Sequence, residues 1–570
     1  MRDAEDLFFA GPQRMGVVKS LFVGRFVADW VMPYPELPPD QRVALDGLMP
    51  ELRAFLRDTL DPAAIDRAAD IPRYVIEGLG RLGVLGLAAP IDVGGRGFSQ
   101  MAYCRVMEAI GERCGSTSVF VNAHHSIGLR ALVLFGSPAQ QQRWLPRLAR
   151  GEQIAAFALT EPDAGSDASN VQTRAERSAD GPHYLLNGEK RYITNAAIAQ
   201  VLTVIARADE GVTAFLVTPD MPGFSVVESR MAKMGIRGTA TGRLAFRDMR
   251  VPVENVLGPP GEGLKIALTV LDFGRTTFGA CCTGAAKAAL ELAVAHAASR
   301  RQFGRPLGDF ELIKVKLARM AADTYAMEAM TTVTASLIDR GLEDYMLETA
   351  ILKVYTTEAL WSIVNDAFQI HGGAAYFTEL PLERMLRDAR INQIGEGANE
   401  VLISFIALAG MRGPGVQLRE LWDALHHPIG DLRTIWQVGF DRLSAAVHAP
   451  EVPVRDPQLG AYGQRLAKLI RRLGVEVNRV LIRHREDVLD RQYVQQRIAA
   501  AVAELFASAC VLSRADAELA VADDGTGSRT RAVAELSLRR SLRRARRWLA
   551  TLHENDDAAV TAAADEMLGR

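Results

Sequence analysis

Apolar residues recur at helical spacing from residue 41 onward. Leu45, Leu48, Leu52 and Leu56 form one stripe, and the pattern predicts a helical domain over 41–154, broken at Asp61-Pro62 and Gly94-Gly95-Arg96-Gly97. The period then changes. Val201 to Ala206, Thr213 to Val217, Phe224 to Val227 and Arg243 to Phe246 are short β-prone runs between Gly, Pro and Asp. Tyr184 to Thr194 reads as two strands turned at Asn187-Gly188, the dipeptide of a tight hairpin. A central β domain is expected over 155–262. Ile313, Leu317 and Met320 return to helical spacing, for a second helical domain over 263–412. Residues 413–456, richer in Pro, Gly and His, read as a connector. Leu466, Ile470, Leu473, Val477 and Val480 then restart the helical period in an additional helical domain over 457–570, and 1–40 is an N-terminal extension. The fold class is mainly α with a central β domain.

Composition narrows the setting. A chain of 570 residues divides into several cores, and a net charge of −2 gives no pull toward nucleic acid. The five cysteines form no C-x-x-C pair and read as free thiols in a reducing compartment. The acidic start lacks a signal-peptide pattern, and abundant Ala and Arg suggest a bacterial cytoplasm. Ile498 to Leu512 is interrupted by Glu504 and reads as a buried helix rather than a span. The basic run from Leu538 to Leu549 has two readings, a peripheral contact with anionic lipid at the inner membrane or a packed helix with a solvated Arg face.

Gly78-Leu79-Gly80-Arg81-Leu82-Gly83 spells G-x-G-x-x-G, but no strand precedes it, so it is no dinucleotide fingerprint. No zinc-ligand spacing occurs, and His124, His125 and His371 read as packing residues rather than metal ligands. Thr160 to Asp167 is a turn of hydroxyls and small residues able to hold flavin carbonyls or a phosphate, or simply an Asx turn. Arg300-Arg301-Gln302-Phe303-Gly304 and Gln369-Ile370-His371-Gly372-Gly373 each end a helix, where an arginine can take a pyrophosphate and bare glycines let a ligand approach. Glu396 stands between Gly395 and Gly397, so no neighbouring side chain blocks its approach to a substrate carbon.

In order, T-E-P-D-A-G-S-D (160–167), R-Y-I-T-N (191–195), M-G-I-R-G-T (234–239), R-R-Q-F-G (300–304), Q-I-H-G-G (369–373) and R-D-A-R-I-x-x-I-x-E-G-x-N-E (387–400) resemble the acyl-CoA dehydrogenase family. F-V-G-R-F and P-Y-P-E near the start, with L-I-R-H-R and V-L-S-R-A in the C-terminal extension, look like the very-long-chain branch. The resemblance implies a helical domain, a barrel-like β domain and a four-helix bundle, a dimer, and FAD between β domain and bundle. It implies that Phe157, Thr160, Tyr192 and Thr194 line the flavin and that Ser166 meets both cofactor and pantetheine. Arg300, Gln302 and Phe303 would reach the FAD of the other subunit, with Gln369, Gly372 and Gly373 beside its pyrophosphate and adenosine. Ala398 and Glu400 fall at cofactor positions, Gly397 at a substrate position, and Arg275 near the CoA phosphates.

The resemblance makes Glu396 the base that takes the α-proton of an acyl-CoA thioester while a β-hydride leaves to the flavin, its own backbone N–H holding the thioester oxygen. Electrons would pass to an electron-transfer flavoprotein. Gly395 replaces the usual Phe or Tyr, Ala398 the usual Thr, and Tyr192 the usual Trp. Val119, Phe120, Asn122 and Ala123 fall where acyl-pocket depth is set. They include no Glu or Gln floor, which favours a long chain, with Phe120 the side chain able to close the tunnel. The rivals are a same-fold flavin oxidase or monooxygenase, which usually lacks this Glu, and a non-catalytic assembly protein, which would lack the base.

Overall fold

The computed structural model describes residues 15–426, 448–522 and 524–570. After a short helix α1 (Val17–Phe22), the first domain is α2 (Pro39–Asp58), α3 (Pro62–Ala68), α4 (Arg73–Arg81), α5 (Gln100–Arg113), α6 (Gly115–Asn122), a π-helical turn (Ala123–Leu129), α7 (Arg130–Phe135) and α8 (Pro138–Ala149). Its core joins the expected leucine stripe to Val75, Leu79, Val106 and Ile110. Gly78 and Gly80 lie inside α4, where added Cβ atoms would strike Phe55 and the Arg150 carbonyl; the G-x-G-x-x-G run is helix packing.

The β domain contains β1 (Ala155–Ala158), β2 (Arg174–Arg177), β3 (His183–Ile193), β4 (Val201–Ala208), β5 (Gly211–Val217), β6 (Phe224–Glu228), β7 (Gly242–Pro252) and β8 (Val256–Leu257). The order is β6-β7-β3-β2-β4-β5-β8, with β1 parallel to β4. The expected Asn187-Gly188 hairpin does not form. β3 runs straight through it, paired antiparallel with β7, and the register shifts between Leu186 and Gly188 make the dipeptide a bulge.

The bundle is α9 (Gly263–Ser299), α10 (Glu311–Asp339), α11 (Met346–His371) and α13 (Asn399–His426). A two-strand ribbon, β9 (Arg301–Gln302) and β10 (Arg305–Pro306), follows α9, and α12 (Leu382–Arg390) precedes α13. α13 extends through Pro414 into the expected connector, so that segment begins as helix; residues 427–447 of it lie outside the described residues. α14 (Pro457–His484), α15 (Gln492–Val521), α16 (Asp524–Ala550) and α17 (Asp557–Leu568) form the added domain.

α1 wedges between bundle and added domain. Glu348 on α11 accepts the Val18 N–H at 2.8 Å, and Phe22 lies where a Cβ on Gly410 would be. Glu328 on α10 gathers Arg105 from α5 (2.7 Å), Lys287 from α9 (3.0 Å) and Arg514 from α15 (2.9 Å), tying three domains at one carboxylate. α9 and α15 are long and apolar enough to cross a membrane, so the short-span reading of 498–512 was of a longer helix; the apolar window of α15 is 83% buried inside the protein. α16 is the packed helix with a solvated Arg face. Leu538, Leu542, Ala545 and Leu549 are in the core, Arg540 and Arg544 reach Asp323 and Glu504, and only Arg543, Arg546 and Arg547 of the run's later half face solvent.

α5 and α9 cross with backbones nearly touching. A Cβ on Gly284 would lie 2.0 Å from the Glu108 carbonyl, and one on Gly111 would lie 2.4 Å from the Cys281 carbonyl. Gly284→Ala is therefore expected to force the helices apart at a cost of roughly 1–3 kcal/mol, read as a lower denaturation midpoint at unchanged denaturant slope. An unchanged midpoint would show that the crossing has slack.

Candidate active site

The R-D-A motif is an anchor. On α12, Arg387 pairs with Asp66 of α3 at 2.7 and 3.0 Å and with Glu383 at 2.7 Å, and it donates to the Met234 carbonyl at 3.0 Å. Asp388 accepts the Ile236 N–H, and a Cβ on Gly235 would lie 2.2 Å from the Arg387 carbonyl. The M-G-I-R loop is thus clamped onto α12, which fixes where the chain leaves for residue 396.

Glu396 follows with φ 59° and Gly397 with φ 96°. This left-handed pair turns the chain sharply into α13, and the strain at a non-glycine residue marks a site the surrounding packing holds. The residue is part-buried as a whole, and within it Oε2 is closed off from solvent with no hydrogen-bond partner among the described residues. The carboxyl lies over Gly274 of α9, where a Cβ would stand 3.4 Å from Oε2 and 3.1 Å from Ile127. Burial pushes the Glu396 pKa up, and Arg275 and Lys353 pull it back only in part. A buried carboxylate without a partner is costly, and one poised to take a proton needs that cost.

Arg275 is placed differently from the expectation. Its side chain is buried, pairs with Asp272 at 2.8 Å and donates to the Glu396 carbonyl at 3.4 Å; it braces the base loop rather than facing phosphates. Thr349 completes Asp272 at 3.0 Å. Lys353, which the sequence reading missed, is fully buried and donates to the Gly397 carbonyl at 2.7 Å. Gly395 leaves open space, since an added Cβ would meet only the Ile391 carbonyl at 3.7 Å.

A ledge is built beside the β domain. Lys190 on β3 and Glu161 are both buried and pair at 2.6 Å, while the Arg191 N–H donates to the Thr160 carbonyl at 2.9 Å. These bonds bring T-E-P and R-Y-I-T-N together, and with them Phe157, Thr160, Tyr192 and Thr194. The hydroxyls of Thr160, Ser166 and Thr194 have no protein partner among the described residues, and Tyr192, at φ 61°, exposes its ring under the Arg191 guanidinium. Free hydroxyls beside an exposed aromatic suit a planar heterocycle with carbonyl edges.

Arg300, Gln302, Phe303, Gln369, Gly372 and Gly373 are not brought to this ledge. They lie at and just beyond the C-terminal ends of α9 and α11, where His296 and His371 stack at 4.2 Å. Gly274 and His296 are about 22 residues apart on α9, roughly 33 Å at about 1.5 Å per residue. Phe303 is 92% exposed, and Gly372 and Gly373 have open space at Cβ. Ala398 and the exposed Glu400 open α13 beside the base.

A cavity of about 650 Å³ starts one turn below Gly274 at Phe278 and follows Cys281, Cys282, Ala285 and Ala288 of α9. Val119 lines it. Phe120 does not, being packed into the first domain's core, so it does not close this space.

Family models for the acyl-CoA dehydrogenase N-terminal, middle and C-terminal domains match residues 46–152, 156–249 and 261–411, and the ACAD9/ACADV C-terminal domain matches 457–568. The human mitochondrial very long-chain specific acyl-CoA dehydrogenase is 35% identical over 88% of this chain and 78% of its own length. The probable acyl-CoA dehydrogenase FadE10 of Mycobacterium tuberculosis is 33% identical over 99% and 90%. An acyl-CoA dehydrogenase from Bacillus anthracis, solved with FAD, superposes with a TM-score of 0.80 at 29% identity, covering 97% of this chain and 95% of that one. With these likenesses spanning the base loop, the β-domain ledge and the added helices alike, the chain belongs to the acyl-CoA dehydrogenase family.

Proposed function

We propose that the chain is an FAD-dependent dehydrogenase of long-chain acyl-CoA thioesters, yielding trans-2-enoyl-CoA and handing electrons to an electron-transfer flavoprotein in a bacterial cytoplasm. The observation that carries this is the solvent-shielded, unpartnered Oε2 of Glu396 over Gly274. Phe157, Thr160, Ser166, Tyr192 and Thr194 would hold the flavin ring, and a second copy would supply Arg300, Gln302, Phe303, Gln369, Gly372 and Gly373 to its far end. That division explains why one chain keeps the two groups so far apart. When bound, FAD supplies the hydride acceptor.

Glu396 takes the α-proton, and its raised pKa brings its basicity nearer the task. Its backbone N–H, turned by the left-handed conformation, would hold the thioester oxygen as negative charge grows there; such a donor is worth roughly 2.7–4 kcal/mol. Arg275 and Lys353 hold the two carbonyls that follow, so the loop does not yield as charge develops. The cavity along α9 lies within the usual size for ligand pockets, about 300–1,000 Å³; its α9 wall of Phe278, Cys281, Cys282, Ala285 and Ala288 is small and apolar enough for an alkyl tail, with Arg53, Arg57, Glu291 and Arg384 also around it.

The test is a chain-length series with purified flavoprotein, following enoyl-CoA by mass. Palmitoyl-CoA is expected to give a higher kcat/KM than butyryl-CoA. The reverse order would assign the α9 cavity to something other than the tail.

A further inference from the structure

Beyond holding the Gly397 carbonyl, Lys353 brings to the base loop a charge that the reaction above does not use. It is the eighth residue of the 26-residue α11, where a lysine ordinarily reaches water, yet it is fully buried. Its ammonium donates to the Gly397 carbonyl at 2.7 Å and to Asn399 Oδ1 at 2.8 Å. Asn399 is held in turn by its amide on Glu358 at 2.7 Å and on Thr357 at 3.1 Å. The lysine therefore grips both the residue after the base and the first residue of α13. Arg275 grips the base's own carbonyl from the opposite helix, with Asp272 behind it.

Resting on the reading of Glu396 as the base, we propose that Lys353 is a positioning residue that fixes the base loop from beneath and keeps Glu396 ionisable in its dry pocket. Burial raises the Glu396 pKa, and a second cation besides Arg275 offsets part of that desolvation. The groups facing this cluster are Arg275, Asp272 and Cys282 from α9, Glu358 from α11 itself and Glu396 from the loop. Burial, with Arg275 nearby, brings the Lys353 ammonium down to about 8 even with Glu396 and Glu358 pulling the other way, which leaves it mostly charged at neutral pH. Burial pushes the Cys282 thiol up to about 12, which leaves it neutral there and no rival for the charge.

The test compares Lys353→Met with Lys353→Arg. Glutamate is labelled with ¹³C at the carboxyl, and Glu396 is assigned by its loss in Glu396→Gln. In Lys353→Met the Glu396 titration is expected to move up by about one pH unit or more, and the acid limb of the pH–rate profile to move with it. At neutral pH kcat should fall about tenfold or more with KM little changed. Lys353→Arg, which keeps the charge, should leave the titration near its original place. A Glu396 titration unmoved in Lys353→Met, or a loss confined to KM, overturns the proposal. If Lys353→Met does not fold, Lys353→Gln carries the same expectations. The NMR titration needs no turnover, so it separates this proposal from the assignment of the reaction: a wild-type protein that dehydrogenates no thioester sinks the latter alone.

Discussion

Glu396→Gln is expected to lower the rate of thioester dehydrogenation by about 10²–10⁴ or more, the usual contribution of a positioned general base. Substrate affinity and flavin content should change little, because the amide keeps the side chain's shape over Gly274. Stability offers an independent check of sign. A carboxyl whose folded pKa is raised above 4.5 destabilises the folded state once it ionises, as pH rises through that interval. Removing the charge should therefore leave the denaturation midpoint at neutral pH equal or higher. A variant both inactive and less stable would point to a structural role. For the same reason the wild-type rate should fall on acidification with its midpoint above the free-glutamate value of 4.5. Stopped-flow measurement of the reductive step across pH reads both.

Lys190→Met is expected to destabilise the protein by roughly 3–5 kcal/mol, since it leaves Glu161 as an uncompensated buried charge. Lys190 and Glu161 are 0% and 2% exposed at the side chain, and Glu161 also accepts the Gln172 and Thr173 N–H groups at 2.5 and 3.0 Å. Burial alone would push the Glu161 pKa up, but Lys190 and these donors hold it below its ordinary value. Its contribution to stability is thus present above pH 4.5 and lost as pH falls through the depressed folded value. Because the pair joins the Thr160 turn to β3, flavin retention should fall with stability. Adding Glu161→Gln removes the stranded charge while keeping an acceptor for Gln172 or Thr173, and should recover much of the loss. Urea midpoints and flavin content report both. A loss below about 1 kcal/mol would place the pair among weakly coupled surface bridges.

What the sequence made legible was chemistry confined to short segments. Glu396 between glycines, the hydroxyl-rich Thr160 turn and the helical and β periods each follow from residues near one another in the chain. What it hid depended on distant partners. Asn187-Gly188 has the local preference of a hairpin, but pairing along β3 and β7 outweighs it and leaves a bulge. Pro414 looks like a helix breaker, yet α13 continues through it. Lys353 carries no local signal and the resemblance places Arg275 near the CoA phosphates; only the folding of α9 and α11 against the base loop brings both to its carbonyls. The Arg-rich helix near 540 hid its packing similarly, since Asp323 and Glu504 lie far away in sequence.

The most direct measurement is anaerobic mixing of the purified flavoprotein with palmitoyl-CoA while the visible flavin band is followed. Wild type should bleach within the mixing experiment, and Glu396→Gln should bind the thioester with its band intact. Equal bleaching in the variant, or an unchanged band in flavin-loaded wild type with every chain length, would mean that Glu396 is not the base of a thioester dehydrogenase.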